Sequence, residues 1–208
     1  MKQFRVLLAA LAVSLPAGFG HADDHSGFNG VWHLAAKQNA LVTSTGTAPP
    51  LIVAKGTTDD TDRCLPNGIP RLFLRGTPFR ITVGSTMVGE FFETDHAFRL
   101  IYLDTPHYDA IAPAYLGQAV GKWDGDTLDI DVNQFNDVTW LDNTGLPHSD
   151  KLHLTERLSL DRAGKLHDLI TIADPTDYKA PWQTELTFTR SAQTTLAEHY
   201  CLKEKGLL

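Results

Sequence analysis

The sequence predicts an all-β fold, a mainly antiparallel β-barrel finished by a short C-terminal helix. From Pro78 onward, short runs alternate apolar and polar side chains, the period of a half-buried strand. Gly, Asp and Ser turn signals separate these runs at roughly ten-residue spacing, which reads as a sandwich or an up-and-down barrel. The barrel is favoured, because about eight strands close their own edges and leave room for one small ligand.

Taken in order, "GVWHLAAK" (30–37) opens a first strand after the polar lead-in "DDHSGFNG" (23–30). Residues 43–63, rich in Thr, Gly, Pro and Asp, read as a long loop, which "CLPNGIPR" (64–71) continues. "PFRITVG" (78–84) and "MVGEFFE" (87–93) form a hairpin, and "AFRLIYLD" (97–104) is a third strand of this group. In "GQAVGKWDGDTLDIDVNQF" (117–135), Asp124-Gly125 or Gly125-Asp126 supplies a tight turn between two strands. "KLHLTERLSL" (151–160) and "KLHDLITIAD" (165–174) flank the turn "DRAG", and "WQTELTFTR" (182–190) alternates cleanly. "TTLAEHYCLKEK" (194–205) is the helix candidate. The opening "FNGVW" resembles the Gly-x-Trp start of lipocalin-like barrels, so the expected barrel is of the calycin kind.

Residues 1–22 read as an export signal. Lys2 and Arg5 precede the apolar run "VLLAALAVSL" (6–15), Pro16 and Gly18 break it, and "GHA" (20–22) places small residues for cleavage after Ala22. The apolar run is shorter than the roughly 20 residues a membrane-spanning helix needs. A soluble periplasmic protein of one barrel domain, 23–208, is expected. Losing Lys2 and Arg5 takes the formal charge from −7 to −9. That acidity speaks against nucleic acid or anionic lipid as a partner. In an oxidising compartment the two cysteines, Cys64 and Cys201, are expected to form a disulfide; neither lies in a CxxC pair.

Candidate chemistry comes from polar residues in apolar registers. In "HSDKLHLTERLSL" (148–160), Leu152, Leu154, Leu158 and Leu160 share one parity, and Glu156 falls among them. His148 has the same parity if the strand starts that early. An unpaired buried Glu156 would be protonated and suited to general-acid work. Paired with Arg99 on the strand 97–104 it would be ionised and would orient the guanidinium, and the paired form is favoured. On 127–133, Leu128, Ile130 and Val132 face one way while Asp129 and Asp131 face the other. Asp129 reads as solvent-facing; Asp131 is a candidate base or histidine-orienting acid. His107, with Asp104 and Tyr108 beside it, is a candidate proton shuttle. The catalytic candidates are therefore His148, Glu156, Asp131 and His107. Arg99, Arg71, Tyr102, Tyr115, Phe135, Asn136 and Trp140 are the substrate-binding candidates. No HxH or HExxH spacing exists, so no metal and no cofactor is expected, and no GxSxG, P-loop or dinucleotide fingerprint is present.

Together, "CLPNGIPR", "FRLIYLDTPH", "LGQAVGKWDGDTLDIDVNQFND", "HSDKLHLTER" and "DPTDYKAPW" resemble a large family of secreted bacterial β-rich proteins, over roughly residues 64–201. The family's usual motif carries an arginine or glycine before the histidine of "LDTPH", where this chain has Thr105-Pro106. The resemblance implies periplasmic handling of small aromatic, plant-derived compounds. It includes a cofactor-independent lyase that releases formaldehyde from lignin-type phenylpropanoid dimers and leaves a stilbene. An exported acid/base lyase on a small aromatic substrate is thus the leading expectation. A non-catalytic periplasmic carrier of small aromatic molecules is the rival, and an envelope assembly module without any pocket is the third class. A homo-oligomer is left open.

Overall fold

A computed structural model describes residues 24–52, 61, 64–199 and 201. Nine strands run in chain order: β1 (Gly30–Leu34), β2 (Phe79–Val83), β3 (Met87–Phe92), β4 (Phe98–Leu103), β5 (Gln118–Asp124), β6 (Thr127–Asn133), β7 (His153–Leu160), β8 (Leu166–Ala173) and β9 (Trp182–Arg190). Each pairs with its sequence neighbour, and β1 pairs with β9 to close the barrel. The export signal expected over 1–22 lies outside the described residues. Of the expected helix 194–205, residues 194–199 are irregular, and beyond them only Cys201 is described. No helix among the described residues is long and apolar enough to cross a membrane.

The alternation works as the sequence dictates. Val88, Ile101, Ala119, Ile130, Leu154, Ile170 and Phe188 point inward and are buried. Gly125 and Asp126 form the two-residue β5–β6 turn, Gly125 in the left-handed region at φ 57°. One pairing departs from expectation. β4 and β5 run parallel, so the connection 104–117 must travel back along the outside of the barrel.

Both ends are stoppered. At one end the turn His25–Phe28 sets Phe28 edge-on to Trp123 at 5.1 Å. At the other, the 3₁₀ turn Arg71–Arg75 drives Phe73 in among Phe79, Phe92 and Phe188. A disulfide joins Cys64 to Cys201 across 137 residues, with Cα atoms 5.7 Å apart, and ties the C-terminal segment back to the first long loop. The room expected inside the barrel for a ligand is taken up by side chains: aromatic at the ends and, in the middle, charged.

That middle layer holds Glu90, Arg99, Glu156 and Asp168, each at most 3 % exposed. Arg99 donates to both oxygens of Glu156, at 2.5 and 2.8 Å, and through Nε to Glu90 at 2.8 Å. Neither oxygen of Asp168 has a hydrogen-bond partner among the described residues, nor has Glu90 Oε1. Three carboxyls thus share one guanidinium. Burial pushes the Glu90 carboxyl up to about 7 against the pull of Arg99, and burial with the Glu156 charge pushes Asp168 well above its usual value.

Raised carboxyls stabilise the fold while protonated. Both contributions are complete below the ordinary carboxylate range; that of Glu90 is lost as pH rises through about 7, and that of Asp168 as pH rises through its own raised pKa. His148, kept neutral by burial, acts in the opposite sense below about pH 6.5. Between about pH 6.5 and 8 His167, raised by its hydrogen bond to Glu185, loses stability in the same sense as the carboxyls. Unfolding free energy from urea titrations is expected to fall there, approaching about 1.4 kcal/mol per pH unit for each proton still held. Asp168→Asn should flatten the slope. A stability that is level or rising over this window would contradict the protonated cluster.

Candidate functional site: an acid/base groove outside the barrel

The parallel β4–β5 pair makes the site. Because the crossover 104–117 lies over the outer side of β5, the outward-facing Gln118 is nearly buried, at 9 % exposure. Between Asp104 and Thr105 and the outer face of β5–β7 opens a groove of about 630 Å³. Its polar lining comes from Lys122, Asp129, Asp131, Thr155 and Arg157, and Val120 adds an apolar floor. That volume suits a small organic ligand.

At the groove's rim Asp131 serves two histidines that stand behind it, outside the groove's own lining. Asp131 Oδ1 lies 2.6 Å from His107 Nε2, and Oδ2 lies 2.7 Å from His153 Nε2. The proton positions follow from the partners. Gln118 Oε1 accepts the Tyr108 amide N–H at 2.8 Å, so the oxygen end of that amide faces the crossover. His107 Nδ1, 3.0 Å from the same oxygen, must therefore donate as well. With Asp131 at the other nitrogen, both ring nitrogens of His107 are engaged. His153 differs. Its Nε2–H donates to Asp131, which leaves Nδ1 as a lone pair on a ring about half exposed. The result is a proton donor and a proton acceptor oriented by one acid, an arrangement suited to general acid/base work.

The remaining charges form a chain along the floor. Lys122 stands opposite Asp129 in register, and Arg157 Nε lies 3.2 Å from Asp129 Oδ1, an ion pair by distance without hydrogen-bond alignment. Exposure screens these pairs, so they shape a ligand's footprint more than they stabilise the fold. Tyr102 is paired in register with Val120 on the outer face and is 42 % exposed, an aromatic platform beside the groove.

Of the candidates the sequence singles out, Asp131 and His107 meet here; the others are elsewhere. Glu156 pairs with Arg99 as expected, yet the pair is sealed in the core, with side chains 0 % and 2 % exposed. The expected opening onto a substrate is missing because Phe73 sits over Arg99, 6.0 Å from ring centre to guanidinium carbon. His148 lies outside β7, which starts at His153. It is buried in the β6–β7 connection, where its Nδ1–H donates to the Ser149 carbonyl and its Nε2 accepts from Thr139, edge-on to Phe135. Burial holds its imidazole below the ordinary histidine range, and this neutral form is what those two partners require.

Phe135 is buried too, because Gln134 takes a left-handed turn at φ 57° and breaks the strand parity. Asn136 accepts a long bond from the Val138 amide within its own loop. Arg71 stacks on Trp140 at 4.9 Å and donates to Asn143, which binds the 3₁₀ plug to the β6–β7 connection. Tyr115 lies half-buried in the crossover. Sequence reasoning misses His153, Gln118, Lys122, Thr155 and Arg157 as site residues, since outward parity on a strand ordinarily means solvent. The signal that could find them is the connection 104–117, too long for a hairpin.

No family model and no curated protein matches the sequence. Among solved structures, one described as "REP1-NXSQ fatty acid transporter" superposes with a TM-score of 0.41 at 12 % identity, covering 79 % of this chain and 96 % of that one.

Proposed function

We propose that the protein is an exported, cofactor-independent acid/base enzyme, a carbon–carbon lyase that acts on small aromatic molecules in the outer groove. The observation that carries this reading is the single carboxylate of Asp131 holding His107 as donor and His153 as acceptor beside a ligand-sized groove. The resemblance to the secreted family supplies the substrate class, a phenylpropanoid dimer bearing a primary alcohol and a benzylic hydroxyl.

In this chemistry His153 Nδ1 takes the proton of the primary alcohol. The carbon–carbon bond beside it breaks as formaldehyde forms, and its electron pair makes the stilbene double bond. The benzylic oxygen leaves as water with a proton from His107, once the ring has let go of Gln118 Oε1 and turned its Nδ1–H to the substrate. One proton is taken and one given, so no oxidant or reductant is consumed. Tyr102 would carry one ring, and Lys122 or Arg157 a phenolic oxygen.

The test is direct. Purified protein is incubated with lignin-type dimers, and formaldehyde is trapped while the stilbene is followed by absorbance. Both products should appear in equal amounts without added metal or cofactor. Saturable binding of the dimers with neither product would make the protein a carrier instead.

A further inference from the structure

We propose that the outer face of β3 and β4 is a stacking platform that extends the groove and takes the further rings of an elongated aromatic ligand. One end unit of that ligand occupies the groove. The inference rests on the reading of the groove as a site for aromatic molecules and deepens it: the ligand is an oligomer longer than a dimer.

The face is apolar and flat. Met87 stands opposite Tyr102 in register, Gly89 opposite Leu100, and Phe91 opposite Phe98. None of these six outward positions carries a charge. Eight large hydrophobic side chains are exposed among the described residues, and four of them meet here: Met87 at 38 %, Phe91 at 39 %, Tyr102 at 42 % and Phe98 at 60 %. Such clustering marks a patch with a use, since singly scattered apolar side chains are ordinary surface. Gly89 supplies the flatness. A Cβ at that position would stand 2.8 and 3.0 Å from Phe91 Cε2 and Cζ, so the Phe91 ring lies down over the glycine. A ring laid along its strand turns one face to the outside, where another ring can stack. Phe98 and Tyr102, four residues apart on β4, are about 13 Å apart. Tyr102 is in register with Val120, the apolar floor of the groove, so the aromatic surface runs into the groove without crossing a charge.

The same features select the occupant. With about 200 Å² on each side chain, the four expose roughly 350 Å². A stable dimer buries roughly 800 Å² per partner, so the face is too small for a second copy and ample for two rings. A sugar chain needs partners for its hydroxyls, and among the six positions Tyr102 alone offers a hydroxyl. An anionic lipid surface needs cations. The chain carries a formal charge of −7, and Arg80, in register with Phe91, already donates to the Thr194 carbonyl. Rings stacked on Tyr102, Phe98 and Phe91 bury apolar area and ask for no polar partner.

The experiment measures dissociation constants by calorimetry for a lignin-type dimer and for a tetramer of the same unit. Wild type, Phe98→Ala and Gly89→Ala are compared. Wild type should hold the tetramer about tenfold more tightly than the dimer. Phe98→Ala should abolish that advantage and leave dimer affinity unchanged. Gly89→Ala, which lifts the Phe91 ring and removes no aromatic group, should reduce the advantage by about threefold. A tetramer bound no more tightly than the dimer, or an advantage that survives Phe98→Ala, overturns the proposal. So does self-association that depends on Phe98, which gives the face to a second copy, or Phe98-dependent binding to phosphatidylcholine vesicles, which gives it to a lipid surface. Product formation is read separately. The affinity pattern without product keeps the platform and sinks the lyase reading, whereas product from the dimer with no tetramer advantage sinks the platform alone.

Discussion

Asp131→Asn is expected to lower kcat/KM for the dimer substrates by about 10²–10⁴, the range that positioned general acid/base groups contribute. The carboxylate holds a proton donor on one oxygen and fixes the histidine tautomer on the other. Asparagine keeps the size but can present only one acceptor oxygen, and its NH₂ end confronts the second ring with a donor. His153 then turns or changes tautomer, and His107 loses the carboxylate that holds its Nε2. His107→Gln and His153→Gln should each approach the same loss, because the three groups act as a unit and their effects do not add. Thermal stability should change little, since Asp131 is 39 % exposed and such pairs stabilise weakly. Product formation per folded molecule, with binding measured separately, checks this. An Asp131→Asn variant within a factor of about three of wild type, far short of that range, would remove the carboxylate from the chemistry.

Arg99→Met should destabilise the fold by about 3–5 kcal/mol, the cost of leaving buried charge without its partner. At roughly 2–4 °C per kcal/mol for a domain of this size, the melting temperature should drop by about 6–20 °C. The reason lies in how the charges are shared. Arg99 answers both Glu90 and Glu156, so its removal strands three acids around a dry centre. Glu156→Gln is milder, because Arg99 retains its bond to Glu90, whose carboxyl can ionise to balance it. The order of the two variants is therefore set, with Arg99→Met the worse. Glu156→Gln made in the Arg99→Met background should cost less than it does alone, since its carboxyl has already lost its partner. Urea unfolding of the four proteins measures each step. Equal effects, or simple additivity, would mean that the pairs are not coupled.

The strands are legible because alternation is local: the runs at 78–84, 87–93, 97–104 and 182–190 match the observed strands within a residue or two. Glu156 is legible for the same reason, as one acid among leucines. Glu90 and Asp168 carry the same mark, Glu90 between Val88 and Phe92 and Asp168 between Leu166 and Ile170, and reading every strand for it exposes the whole cluster. What parity does not show is which way a buried acid's face is closed. Phe73, from the 3₁₀ turn after Pro70, fills that space, and a turn's tertiary target leaves no periodic trace. The groove is hidden by a topological choice. Asp129, His153, Thr155 and Arg157 have the solvent parity of an ordinary outer face, and only the parallel placement of β5 beside β4 lays a chain segment across it. His107 and Asp131 are visible as residue types, but their meeting depends on that crossover.

The central claim is that the working acid lies outside the barrel while the buried acid holds its core. Turnover per folded molecule, compared between Asp131→Asn and Glu156→Gln at a temperature where both remain folded, tests it most directly. Asp131→Asn should lose at least about a hundredfold, while Glu156→Gln should keep wild-type turnover despite its lower stability. Retained turnover in Asp131→Asn together with an inactive, folded Glu156→Gln would contradict it and move the chemistry into the barrel.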